Sequence, residues 1–347
     1  MSEVSITSPP RLHHAARIED RAHLVVERGL RVRGWAPRVI GFTGYGSSTQ
    51  VRVLARVLLA PPGTTTGDLR LGRGWRRFFT ATARDVPVRV TLGGRSHVVP
   101  SGRGGYIDTV LPASLAAGWA EAELKVEGSS TEPTRAALRI FDEQGLGVVS
   151  DIDDTVIVTA LPRPLLAAWN TFFRHETRRR PVPGMATLLS EVRRHHGDVP
   201  VVYISTGPWN VAPVLELFLR RHGFPPGPLL MTDWGPTQDG WFRSGRDHKR
   251  RELRRLLQAF PGREWLLLGD DGQHDPQIYG EIAAASPDQI RAVAIRQLSL
   301  AEQVRTHGSA QPLPEGAEQA TPAYDEVRAP DGFRLLAELR DRGLVQG

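Results

Sequence analysis

Residues 147 to 159 read GVVSDIDDTVIVT. Apolar Val148 and Val149 run into Asp151, Asp153 and Thr155, and a polar turn follows. This pattern predicts a buried central strand that delivers Asp151 at its carboxyl end, where open α/β sheets carry their sites. In that setting Asp151 is expected as a nucleophile and Asp153 as a general acid/base. One carboxylate takes a phosphoryl group covalently, and the other protonates the leaving oxygen and then activates water. Asp154 and Thr155 would turn the chain and shape the loop. The competing reading is a polar strand-to-loop turn, since Asp and Thr cluster in turns anyway. The motif alone does not choose, so the flanking chain has to.

Downstream the chain alternates strands and helices. In PRPLLAAWNTFFRHETRRRPVPG (162–184), Leu165, Trp169, Phe172 and Phe173 fall at helical spacing and an arginine cluster that includes Arg178 and Arg179 follows directly. An apolar stripe beside a basic cluster suits a cap over an anionic amphiphile; the alternative is a helix packed on the domain with its arginines solvated. MATLLSEVRRHH (185–196) is an amphipathic helix leading to the strand VPVVYIS (199–205). That strand ends at Ser205 and passes through Thr206 and Gly207 to Trp209 and a helix from about Asn210. A small hydroxyl at a strand end, with helix-initial amides behind it, is a natural oxyanion corner, and Ser205 is the expected phosphoryl contact. Ser-Thr-Gly turns are also common without that role.

The chain carries two lysines, Lys125 and Lys249, against many arginines. Lys249 opens the helix HKRRELRRLLQAF (248–260), where a cation works against the macrodipole and so calls for an anionic neighbour. The apolar strand EWLLLG (264–269) then delivers Asp270 and Asp271, with His274 and Asp275 just beyond. Such an acidic strand end reads as a jaw for a hard divalent cation, which takes oxygen ligands from one or two carboxylates. His274 is expected in an outer or substrate-facing role rather than as a transition-metal ligand.

The N-terminal part differs in grammar. Residues 11 to 30 carry Leu12, Ala15, Ile18, Ala22, Val25 and Val26 at roughly helical spacing, which predicts an amphipathic helix packed on a neighbouring domain, with a membrane surface as the alternative. From Val39 to Phe141 short β-like runs such as VRVLARVLLA (51–60), VPVRVTLGG (86–94) and AEAELKV (120–126) alternate with Gly, Pro and Ser clusters, which argues for a small β-sandwich. No catalytic constellation stands out there. The 347 residues contain no cysteine and carry a formal net charge of +6, which excludes disulfide and thiolate chemistry and favours anionic partners. No apolar run reaches membrane-spanning length and the N-terminus lacks a secretory stretch, so a cytoplasmic protein is expected.

Taken in order, DIDDT, strand-terminal Ser205, helix-initial Lys249 and LLLGDD with Asp275 resemble the four motifs of the haloacid dehalogenase (HAD) superfamily of phosphotransferases. Within it, VVSDIDDTV, YISTGPWN, DHKRREL and GDDGQHDPQIY resemble the catalytic domain of actin-patch-type, Mg²⁺-dependent phosphatidate phosphatases, over roughly Gly147 to Leu298. The resemblance implies an α/β fold with a HAD-like Rossmannoid parallel sheet flanked by helices (143–303). An N-terminal amphipathic helix (1–35) and a β-sandwich-like domain (36–142) would precede it, with a linker and C-terminal helix (304–347) after it. It implies that Asp151 attacks phosphorus and binds Mg²⁺, that Asp153 serves as acid/base and offers its carbonyl to the metal, and that Ser205 holds phosphoryl oxygens. Lys249 would offset the phosphoaspartate charge. Asp270, Asp271 and Asp275 share the metal site, the direct ligands left open between them, with Asp275 orienting Lys249 as its alternative role. Expected substrate contacts are Thr155, Thr206, Gly207, Trp209, Arg178 and Arg179. The implied reaction is hydrolysis of phosphatidate to diacylglycerol by a peripheral protein that visits an anionic membrane face, with Trp169, Phe172, Arg178, Arg179 and Trp209 in contact. Alternatives are the same chemistry on a soluble ester, phosphoprotein or nucleic-acid end, and a non-catalytic anionic-lipid binder; no nucleic-acid partner is expected.

Overall fold

The computed structural model describes residues 24–64, 81–158, 180–232, 245–272, 274–307 and 324–345. Trp169, Phe172, Arg178 and Arg179, expected to contact substrate or membrane, lie outside the described residues. Two sheets organise what is described. The first is built from β1 (Ala36–Gly41), β2 (Gly44–Gly46), β3 (Gln50–Ala60), β4 (Pro87–Leu92), β5 (Arg95–Pro100), β6 (Tyr106–Pro112), β7 (Gly118–Val126) and β8 (Thr134–Ile140). Its order is β1-β3-β2-β8-β7-β4-β5, with β6 on β3. The strands expected as a β-sandwich-like domain form one mixed, hydrogen-bonded sheet whose two halves, β1, β3 and β6 against β4, β7 and β8, enclose a single core. The reason is β2, three residues long, which pairs antiparallel with β3 and parallel with β8 and so stitches the two halves together.

β3 explains its own composition. Strand side chains alternate between faces, and Val51, Val53, Ala55, Val57 and Leu59 pack into the first sheet's core. From the opposite face Leu54 and Leu58 join the core of the second sheet. A strand buried on both faces reads as a nearly continuous apolar run, as VRVLARVLLA does.

The second sheet comprises β9 (Gly145–Asp151), β10 (Val201–Pro208), β11 (Leu229–Thr232), β12 (Arg263–Asp270), β13 (Ile290–Arg296) and β14 (Glu326–Ala329), all parallel, in the order β11-β10-β9-β12-β13-β14. Numbered from β9, this is three-two-one-four-five-six, so the strand order reverses between β9 and β12. In open sheets that switch point, at the carboxyl ends, is where ligands bind. Asp151 ends β9 and Asp270 ends β12.

Helix α1 occupies residues 24–32. It is followed by α2 (Met185–His196), α3 (Ala212–Arg221), α4 (Gly245–Ala259), α5 (Asp275–Ala285), α6 (Leu300–His307) and α7 (Gly332–Asp341). The part of the expected N-terminal helix before residue 24 lies outside the described residues. In α1, Leu30 packs against the first sheet's core while Leu24, Val25, Val26 and Val32 are exposed, so most of its apolar side chains are not packed on the domain as expected.

After residue 303 the expected C-terminal helix is present as α7, but a strand precedes it. The linker's residues 308–323 lie outside the described residues, but β14 adds a sixth strand beside β13. Four residues, EVRA, are too short for periodicity to separate a strand from a loop. Asp331 caps α7 by accepting from the Arg334 amide, and the Gly332 amide donates to Pro183 O at 2.9 Å, docking α7 at the start of α2.

Candidate active site at the sheet switch point

Four elements converge on Asp151. β9 brings its carboxylate, which is 1% exposed. α4 brings Lys249 from its first turns, 3% exposed. β12 brings Asp270, and α5 opens with Asp275, both fully buried. Lys249 Nζ lies 2.6 Å from Asp151 Oδ1 and 2.5 Å from Asp275 Oδ1, bridging the two. This is the anionic neighbour that a lysine at a helix start requires. Oxygens of Asp151, Asp270 and Asp275 all come within 4.8 Å of one another.

Electrostatics follow from burial. Three carboxylates face one ammonium in a buried site. Burial, with Asp275 and Asp153 beside it, outweighs the pull of Lys249 and holds the Asp151 carboxyl up at about 8. Burial also works against the Lys249 charge, but the carboxylates of Asp151, Asp275 and Asp270 outweigh it and hold the ammonium above its ordinary value. Asp151 Oδ2 is buried and has no hydrogen-bond partner among the described residues. A compact set of hard oxygen donors with excess negative charge fits a hard divalent cation, with Asp151, Asp270 and Asp275 as its holders.

The neighbouring loop holds the second carboxylate. Ser205 Oγ donates to Asp153 Oδ2 at 3.2 Å and accepts from the Gly207 amide at 3.0 Å. Ser205 lies inside β10, which runs on to Pro208 rather than ending at Ser205 as expected, and ties Asp153 to that strand. Thr232 at the end of β11 donates to the carbonyls of Thr206 and Gly207, holding the stretch where the β10–β11 register shifts. Thr155 is buried in the turn after Asp153, and its Oγ1 has no hydrogen-bond partner among the described residues.

Two expected residues stand apart. Asp271 Oδ1 accepts from the Leu298 amide at 2.8 Å, because adjacent strand-end side chains point to opposite faces; Asp270 therefore faces the carboxylate cluster and Asp271 does not. Trp209 is 8% exposed and packs on Phe42 of the first sheet, ring centroids 4.8 Å apart, and on Tyr106 at 6.5 Å. Instead of a bilayer contact it is a wedge between the two sheets.

Two arginines escaped the sequence reading, because in so arginine-rich a chain neither announces itself. Arg296 ends β13 and reaches the turn after Asp153. Arg52 of β3 meets Glu252 of α4 at 2.5 Å, both side chains 5% exposed, one turn beyond Lys249.

Residues 146–297 match the family described as the catalytic domain of phosphatidate phosphatase APP1. Phosphatidate phosphatase APP1 of Saccharomyces cerevisiae is 29% identical over 153 residues, covering 44% of this chain and 26% of that protein. An uncharacterized protein of Schizosaccharomyces pombe is 27% identical over 168 residues, covering 46% of this chain and 26% of its own length. The chain therefore spans about a quarter of the length of these curated relatives. A solved carbohydrate acetylesterase from Xanthomonas citri aligns over 74% of this chain and 66% of its own at 9% identity and a TM-score of 0.26, too slight a likeness to bear on fold or function.

Proposed function

We propose, from the premise that residues 146–297 are an APP1-type phosphatidate phosphatase domain, that this chain hydrolyses phosphatidate to diacylglycerol and phosphate through an aspartyl-phosphate on Asp151. The observation that carries the reading is Lys249 bridging Asp151 and Asp275 beside Asp270 at the switch point of a parallel sheet. Motif order on a three-two-one-four-five-six sheet supports a place in the HAD superfamily.

Asp151 Oδ2, the oxygen not held by Lys249, is the nucleophile. It forms a bond to phosphorus as the bond from phosphorus to the glycerol oxygen breaks, and Asp153 gives its proton to that oxygen. Asp153 then takes a proton from water, the water oxygen bonds to phosphorus, and the Asp151 carboxylate leaves with its electron pair, releasing phosphate. Lys249 keeps the acidic site from repelling a phosphate dianion. Mg²⁺, held by Asp151, Asp270 and Asp275 when bound, would supply further charge neutralisation and polarise the phosphoryl oxygens. No helix among the described residues is long and apolar enough to cross a membrane. Transient access to an anionic bilayer would fall to α1, where exposed Leu24, Val25, Val26 and Val32 mix with Arg28 and Arg31.

The test is phosphate release from phosphatidate in mixed micelles, with Mg²⁺ and with chelator, for wild type and Asp151→Asn, beside an aryl phosphate. Release from the lipid that needs Mg²⁺ and disappears in Asp151→Asn is the expected result. Release from the aryl phosphate alone would keep the chemistry and remove the lipid. Release from neither by a folded protein would favour a non-catalytic lipid binder.

A further inference from the structure

We propose that Arg296 is a positioning residue for Asp153, a role that rests on the acid/base assignment above. Asp153 enters a tight turn in which Asp154 adopts a φ of +58°, a left-handed conformation that non-glycine residues rarely hold unless their surroundings enforce it. The turn is closed from within by Asp154 N to Ile157 O at 2.8 Å and Val156 N to Ile152 O at 2.9 Å. From outside, Arg296 Nη1 donates to Asp154 O at 2.7 Å. Both ends of the left-handed residue are thereby anchored, and its neighbour Asp153 is aimed at Ser205.

The guanidinium is 4% exposed and spends its other donors on parts of the chain far from the turn. Nη2 donates to Glu302 Oε1 at 2.6 Å and Nε to Pro330 O at 3.1 Å. Its main chain is equally committed, since Arg296 pairs with Asp270 across β12 and its carbonyl accepts from the Asp271 amide. One side chain thus ties the acid/base turn to the strand carrying Asp270, and both to α6 and the segment before α7, beyond the stretch matched to the catalytic family. The guanidinium reaches these acceptors from three separate nitrogens, Nε, Nη1 and Nη2, whereas an ammonium's three donors all radiate from one nitrogen.

Loss of this anchor would misplace the acid rather than the nucleophile. A general acid matters most when the leaving group is a poor one, so the signature is leaving-group selectivity in kcat/KM, which reports the first phosphoryl transfer; hydrolysis of the shared phosphoaspartate, where Asp153 is the base, slows alike for both esters. Phosphate release from phosphatidate, an alkyl ester, and from an aryl phosphate is measured in the same mixed micelles for wild type, Asp153→Asn, Arg296→Lys and Arg296→Gln, with melting curves for each. Arg296→Lys is expected to lower kcat/KM on phosphatidate about 10- to 100-fold, the scale of a displaced catalytic group, and kcat/KM on the aryl ester only a few-fold. Arg296→Gln should lose more and Asp153→Asn most, with the same selectivity. Equal losses on both esters, or none, while Asp153→Asn stays selective would overturn the role of Arg296. If Asp153→Asn itself shows no selectivity, the acid/base assignment fails, and this inference with it. Arg296→Lys keeps charge and bulk, so it answers the question if the glutamine variant does not fold.

Discussion

Among single residues, neighbours of one type part ways by environment. Lys249 and His248 are adjacent on α4, yet the ammonium is held charged by carboxylates, and burial lowers the imidazole to about 4. His248 is 3% exposed, receives a hydrogen bond on Nδ1 from Arg251 at 3.2 Å and faces Leu230 O through Nε2 at 3.3 Å, the pattern of a neutral ring. An unfolded histidine titrates near 6.5. Below that pH the unfolded chain binds a proton that the folded chain refuses until about 4. Stability therefore falls as pH drops through that window, by roughly 3 kcal/mol from this residue. Thermal melts from pH 7 to 4 should show the decline, and His248→Gln should flatten it; an unchanged slope would remove the assignment. In the same way Asp270 and Asp271 could not be told apart from their order alone. The alternation of strand side chains and the Leu298 amide separate them.

Whole elements were legible where hydrophobic period and length agreed. The buried runs of β9, β10 and β12 and the amphipathic stripes of α2 and α4 follow directly from residue order. β14 did not, being four residues whose strand identity comes only from β13 beside it. Between β12 and α5 the closeness of approach is set by Gly269. A Cβ there would lie 2.7 Å from both Asp275 Oδ2 and Tyr279 Cε2. Gly269→Ala is predicted to push Asp275 off Lys249, costing about 1–3 kcal/mol of stability as overpacking does. Phosphate release should fall more than that loss explains at a temperature where the variant is fully folded. Wild-type turnover in a folded Gly269→Ala protein would refute the claim that this approach positions Asp275.

At the scale of the molecule, the two sheets share a core. Ile40, Phe42, Tyr45, Leu54 and Leu58 of the first pack with Phe141, Phe260 and Trp265. Arg52 donates to Asp108, to Tyr45 Oη and to Glu252, and burial, which opposes the Glu252 charge, is outweighed by Arg52, so its carboxyl stays below the usual range. Removing one partner of a buried pair strands the other. Arg52→Met is predicted to cost about 3–5 kcal/mol in denaturant unfolding, and Arg52→Met with Glu252→Leu to recover most of it. If the double variant is as unstable as the single one, the cost lies elsewhere in the network. Because Glu252 is one turn from Lys249, the first sheet also braces the helix that carries the ammonium of the candidate site.

Residue order by itself marked the apolar strands that end near Asp151, Ser205 and Asp270 and the helix that starts near Lys249, because these are local: a strand's apolar run and the polar residue that follows it are contiguous. Only the tertiary structure decided that Asp270 and not Asp271 joins Asp151, that Trp209 is a wedge between sheets, that β2 makes one sheet of the N-terminal strands, and that Arg52 and Arg296 brace α4 and the Asp153 turn. Each of those depends on a partner far along the chain. An arginine's role is set by which acceptors lie within reach of its fork once the strands have paired, and nothing in its immediate neighbours encodes that.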